Sequence, residues 1–131
     1  MSENIILFGA GVVSECCLSY FADDPNYNIC GVVVDDEHFI SNYIGNQKIT
    51  KFSEVDRLFD VKDSSFIPCV GYSNVNEDRK QVFQRISAKG WKIGNLIAPG
   101  TQKNYYTLGV GNIIFPHSNI QPYCTFGDGN I

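Results

Sequence analysis

The chain has 131 residues, 44% of them hydrophobic, and a formal charge of −4, which suits one well-buried core and little more than one domain. An acidic chain without a basic run argues against a nucleic acid or an anionic membrane as the main partner, and leaves room for small anions held by backbone amides. No stretch reaches the roughly 18 apolar residues of a membrane helix, the N-terminus lacks the pattern of a secretion signal, and five cysteines without C-x-x-C spacing read as reduced core thiols of a cytoplasmic protein.

The stretch Asn4 to Phe21 organises the rest. Ile5, Ile6, Leu7 and Phe8 read as a buried strand, Gly9, Ala10 and Gly11 as a glycine turn, and Val12, Val13, Cys16, Cys17, Tyr20 and Phe21 as the apolar face of a helix packed on a sheet. Such a turn leaves the first helical amides pointing outward, where a phosphate can sit. A full dinucleotide fingerprint has a third glycine three residues after the second, and Ser14 stands there, so helix and sheet are expected to approach less closely. Asn28 to Val34 reads as a second strand, ended by Asp35 and Asp36. Acids at the carboxyl end of a buried parallel strand can accept hydrogen bonds from a ribose or base; the alternative is a solvated turn.

Glu37 to Lys51 shows no clean period and reads as a loop with room for a short hairpin; Ser53 reads as the cap of a short helix. Ser65 to Val70 is expected to be a third strand running into Gly71, Tyr72, Ser73 and Asn74. Asn74 or Asn76 caps the next helix, with Val75, Val82, Phe83 and Ile86 on its apolar face and Gly90 as its stop. Asp78, Arg79, Lys80, Gln84 and Arg85 read as its solvated face, and Trp91 to Ile97 as a fourth strand. Four apolar strands with crossovers predict an α/β fold with a parallel sheet in the order 2-1-3-4. The ends of its first three strands then bring Gly9 to Val12, Asp35 with Asp36, and Gly71 to Asn74 to one edge.

From Leu108 the period changes: Leu108, Ile114, Ile120 and Phe126 recur every six residues, and Leu108-Gly109-Val110-Gly111-Asn112-Ile113 returns eighteen residues later as Phe126-Gly127-Asp128-Gly129-Asn130-Ile131. Three hexads make one triangular coil of a β-solenoid, so the sequence predicts one coil and the start of another, with Phe126 and Ile131 at an open end.

Taken together, the chain resembles the bacterial sugar O-acyltransferases of the sialic acid O-acetyltransferase and bacillosamine N-acetyltransferase type. The likeness runs through Ile5-Ile6-Leu7-Phe8-Gly9-Ala10-Gly11, Val33-Val34-Asp35-Asp36, Val70-Gly71-Tyr72-Ser73-Asn74 with Arg79-Lys80, Asn95-Leu96-Ile97-Ala98-Pro99, Asn119-Ile120-Gln121-Pro122-Tyr123 and Phe126-Gly127-Asp128-Gly129-Asn130. It implies a Rossmann-like domain over 1–98, followed over 99–131 by a linker and the first hexapeptide coil of a left-handed β-helix. It further implies a UDP- or dTDP-linked amino or hydroxy sugar as acceptor, acetyl-CoA as co-substrate along the β-helix, no metal, and a homotrimer, in surface-glycan biosynthesis. Gly9, Gly11 and the Val12 amide would meet the diphosphate, Asp35 and Asp36 the base or ribose, and Gly71, Tyr72 and Asn74 would line the same crevice.

The chain departs from the family pattern at Val12-Val13, where Gly-His is usual, and at Ala98, where histidine is usual. The family's general-base histidine belongs to a coil after Ile131, so the chain by itself is expected to bind but not to acylate, with no catalytic residue of its own. His117 reads as a surface or interface histidine, His38 as a ligand contact, and Cys124 as a buried or coil-facing thiol. The rival readings are a non-catalytic nucleotide-sugar binding or regulatory module and, third, a small NAD-binding oxidoreductase, which the missing third glycine disfavours.

Overall fold

The computed structural model describes residues 2–70, 77–99, 107–120 and 123–131. The chain opens with β1 (Glu3–Phe8), α1 (Val12–Phe21) and β2 (Tyr27–Val34), then a 3₁₀ turn over Asp36–His38. A hairpin of β3 (Tyr43–Ile44) and β4 (Gln47–Lys51) leads through a second 3₁₀ turn into α2 (Val55–Leu58), β5 (Ser64–Pro68), α3 (Glu77–Ala88) and β6 (Lys92–Ile93). Four short strands follow: β7 (Leu96–Ile97), β8 (Thr107–Leu108), β9 (Ile113–Ile114) and β10 (Thr125–Phe126). Among the described residues no helix is long and apolar enough to cross a membrane.

The main sheet has six strands in the order β3-β4-β2-β1-β5-β6. Its β2-β1-β5-β6 portion is parallel and follows the expected order 2-1-3-4. The expectation of about four strands falls short by β3 and β4, a short hairpin in the segment read as a loop with room for one, which adds to the edge of the sheet. Ile44 pairs with Gln47, leaving Gly45 and Asn46 as a two-residue turn, and Gly45 sits at φ +56. Glycine first in a two-residue loop is sound hairpin chemistry.

β1 is buried on both faces, and its alternation sorts the layers. Ile5 and Leu7 join Cys17 and Phe21 of α1 with Leu96, Ala98 and Ile113. Ile6 and Phe8 point the other way, toward Val55 of α2, Val82 and Ile86 of α3, and Trp91. The buried face of α1 is narrower than its apolar residues suggest: Ser14, Cys17 and Phe21 are buried, whereas Val12 and Tyr20 are exposed. Two residues apart on the helix, Ser14 and Val12 face opposite ways; Ser14 takes the sheet side, its hydroxyl donating to the Gly9 carbonyl at 2.5 Å, so the small polar residue enters without an unpaired group.

The expected fourth strand, Trp91 to Ile97, is two strands. β6 pairs with β5, and Gly94 then donates to the Phe66 carbonyl and accepts from the Gly111 amide, turning the chain off the sheet so that β7 pairs with β9. Gly94 lies so close to Ser65 that an added Cβ would meet the serine Cβ at 3.2 Å.

The C-terminal segment carries the period seen in the sequence. β8 and β10 are parallel with Thr107 opposite Thr125 and Leu108 opposite Phe126, an eighteen-residue return. Positive φ recurs every six residues, at Gly111, His117, Tyr123 and Gly129. An asparagine ladder ties the returns together: Asn95 Oδ1 accepts from the Asn112 amide at 2.8 Å, and Asn112 Oδ1 accepts from the Asn130 amide at 2.8 Å. The recurring Gly-Asn of positions 94–95, 111–112 and 129–130 is its sequence signature.

Candidate functional site

A cleft of about 590 Å³ opens at the carboxyl ends of β1, β2 and β5, against α3. This is where an open α/β sheet binds ligands, on either side of the strand from which connections leave in opposite directions, and the volume falls in the range of small-molecule sites.

The turn after β1 forms one wall, with Phe8, Gly9, Ala10 and Gly11. Gly9 sits at φ +116 and a Cβ there would lie 3.1 Å from the Cys69 carbonyl oxygen, so both conformation and space call for glycine. Gly11 is the N-cap of α1, and its carbonyl accepts from the Glu15 amide. Helix geometry leaves the next amides without intrahelical acceptors, and the helix dipole adds positive potential there. Val12 begins the helix with its side chain largely in solvent.

The end of β2 and the 3₁₀ turn after it supply Val34, Asp35, Glu37 and His38, and the residues just past β5 supply Cys69 and Val70. Cys69 touches Cys17 at 3.9 Å, and that contact together with burial pushes the Cys17 thiol far above its ordinary value, so Cys17 stays protonated. The fourth wall is α3, with Asp78, Gln81, Val82 and Arg85. Arg85 pairs with both oxygens of Asp35, Nη1 donating to Oδ2 at 2.9 Å and Nη2 to Oδ1. Its guanidinium lies over the rings of Phe8 and Phe52, at 5.9 and 5.3 Å from the centroids.

Of the residues expected at the site, Gly9, Gly11 and Asp35 come together in this cleft, and His38 joins them. Asp36 lies in a neighbouring depression with Phe52, Ser53 and Lys89. Its carboxylate accepts from the Ser53 hydroxyl at 2.7 Å and from the Ser53 amide at 3.3 Å, and the hydroxyl contact holds its pKa below the ordinary 3.8. Ser53 therefore secures the turn after β2 and is not the side-chain cap expected for the short helix. Gly71, Tyr72 and Asn74, with the expected cap Asn76, lie outside the described residues.

The charged face assigned to α3 needs two corrections. Arg79 is 4% exposed and donates to the Val70 and Gly129 carbonyls, tying α3 to the end of β5 and to the C-terminal segment. Arg85 lines the cleft. The missed signal was spacing: Asp78, Val82 and Arg85 fall at i, i+4 and i+7, one helical face, so the apolar residue between them already pointed that face inward. Asp35, Glu37 and His38 bring potential ligand atoms within 4.8 Å of one another, but both Asp35 oxygens are engaged by Arg85, and a guanidinium in that position repels a cation. His117 is exposed at a left-handed corner, φ +68.

No family model matches the sequence, and no curated protein sequence matches it either. Solved structures do. The acetyltransferase domain of PglB from Neisseria gonorrhoeae in complex with acetyl coenzyme A has a TM-score of 0.78 at 18% identity, over 98% of this chain and 60% of its own. PerB from Caulobacter crescentus in complex with CoA and GDP-perosamine has a TM-score of 0.74 at 16% identity, over 95% of this chain and 57% of its own. The chain thus shares its fold with these proteins and spans about 60% of their length.

Proposed function

We propose that the chain is the nucleotide-sugar-binding part of an acetyl-CoA-dependent sugar N- or O-acetyltransferase, a Rossmann-like domain leading into the first coil of a left-handed β-helix. The observation that carries this reading is the cleft: a glycine turn and helix N-terminus of the kind that holds a diphosphate, beside an acid-bearing strand end, at the ligand edge of a fold shared with two acetyltransferases. In this reading the turn at Gly9 and Gly11, with the Val12 amide, takes the diphosphate, and the corner at Asp35 and Asp36 faces the nucleoside. The same reading assigns Gly71, Tyr72 and Asn74 to the ligand as well. The division of the chain at residue 98, the trimer and the use of acetyl-CoA belong to the same proposal.

Acetyl transfer to an amine or hydroxyl needs a base within hydrogen-bond reach of the nucleophile. We assign that role to no residue of this chain. His38 lines the cleft, where we read it as a ligand contact, and His117 is exposed. What the chain contributes is binding and orientation of the acceptor, which lowers the barrier by holding the reacting group in place.

Calorimetric titration with UDP- and dTDP-amino sugars, a GDP-amino sugar and NAD tests the reading. One nucleotide sugar should bind while NAD stays silent. Binding of NAD alone would replace this reading with the oxidoreductase one.

A further inference from the structure

We propose that Arg85 is the residue that takes the ligand's diphosphate, and that Asp35 is its resting counter-ion, given up when the phosphate arrives. The inference rests on the nucleotide-sugar reading and names a residue that reading does not contain.

Charge gives the first reason. Among the described residues lining the cleft, the carboxylates of Asp35, Glu37 and Asp78 face one guanidinium, that of Arg85. A diphosphate ester entering such a cleft meets net repulsion unless a cation turns to it. Backbone amides at the glycine turn supply hydrogen bonds and a partial charge, but a full positive charge in this lining comes from Arg85.

Geometry gives the second. Asp35 and Arg85 form a bidentate pair in which the arginine side chain is 44% exposed and the aspartate 18%. Water reaches the arginine side of this pair and screens it, and a diphosphate offers the same fork of donors more charge and more acceptor oxygens than one carboxylate. Phe8 and Phe52 keep the guanidinium in place during such an exchange, because their rings attract it whether or not Asp35 is paired. Phe8 also ends the strand that feeds the glycine turn, so the cradle of the cation and the phosphate-binding amides belong to one rigid stretch of chain. Asp35, once released, is free to turn to the nucleoside.

The exchange predicts effects of opposite sign, which a purely structural tie between β2 and α3 does not. Inorganic pyrophosphate, followed by amide shifts of the ¹⁵N-labelled chain at low salt, reads the anion site without any nucleoside contact. Arg85→Gln should weaken pyrophosphate at least about 10-fold, and Asp35→Asn should tighten it about 3- to 10-fold by freeing the guanidinium. The double variant should lose that gain, and Arg85→Lys, which keeps the charge without the fork, should fall between wild type and Arg85→Gln. Thermal melts confirm that each variant is folded; if Arg85→Gln is not, Asp35→Asn and Arg85→Lys carry the test. Weaker or unchanged pyrophosphate binding in folded Asp35→Asn overturns the exchange. Should a nucleotide sugar still bind wild type in that case, the parent reading stands without it. Conversely, pyrophosphate binding with the predicted signs but no response to any nucleotide sugar would sink the parent reading and keep the exchange.

Discussion

Replacing Arg79 by methionine keeps an unbranched apolar stem of about the same reach as the arginine methylenes and removes the guanidinium and its donors. In the native chain one guanidinium nitrogen donates to the Val70 carbonyl and the other to the Gly129 carbonyl at 2.9 Å, with a longer contact to Pro68 at 3.4 Å. A hydrogen bond from a charged donor contributes about 1.5 to 3 kcal/mol net. Val70 and Gly129 are half-buried, so water reaches their carbonyls in part and each loss falls at or just below the lower end of that range. Two such losses give an expected destabilisation of about 2 to 3 kcal/mol. The single tryptophan, Trp91, is buried and its indole N–H donates to Asp56 at 2.7 Å, which makes its fluorescence a reporter of unfolding. With a urea dependence of about 1 to 3 kcal/mol per molar, the midpoint should drop by roughly 0.7 to 3 M. Amide exchange should also quicken around Gly129, the partner that lies fifty residues away in sequence. A midpoint within about 0.3 M of wild type would refute the reasoning, because an arginine that contributes so little cannot be what ties these segments together.

Gly9→Ala should cost about 2 to 4 kcal/mol in the same urea experiment, from a disfavoured φ together with the close approach to Cys69; a loss below about 1 kcal/mol would mean that the turn relaxes freely. Asn112→Ala removes the acceptor of the Asn130 amide and the donor to the Gly127 carbonyl, both at 2.8 to 2.9 Å in a residue that is 1% exposed, and should cost about 2 to 3 kcal/mol, with faster exchange at Asn130 as the local sign. Asp36 tests the pH dependence. Its folded pKa lies below the ordinary 3.8, so the Ser53 contact stabilises the fold at pH above that value and is lost as pH falls through the folded value. Carboxyl ¹³C titration should place Asp36 below 3.8 in wild type and higher in Ser53→Ala; no upward movement in the variant would remove Ser53 as the cause.

The elements that the sequence revealed are those whose signal is redundant. β1, β2 and β5 are continuous apolar runs bounded by glycine, acids or turn residues, and their shared edge follows from chain order. The hairpin of β3 and β4 falls in the loop that left room for one, but its joining the main sheet was not legible, because the segment is short with several polar residues and its place comes from pairing with β2 and not from its own period. The hexad repeat was legible because an apolar residue every six fits neither helix nor strand, whereas the split at Gly94 depends on a ladder whose first rung, Asn95, lies well before the hexads begin. At the site, glycine and the paired acids were visible as types, but the direction of the Asp36 side chain was set by Ser53, seventeen residues away. Arg79 and Arg85 were hidden by the ordinary preference of arginine for solvent; both find acceptors that only the tertiary structure brings near.

The most direct test of the account is amide mapping of whichever nucleotide sugar binds in the titration panel. Its shifts should centre on Gly9, Gly11, Val12 and Asp35 and reach Arg85 on α3. Shifts confined to the depression between α3 and Gly129–Ile131, with the glycine turn silent, would contradict it.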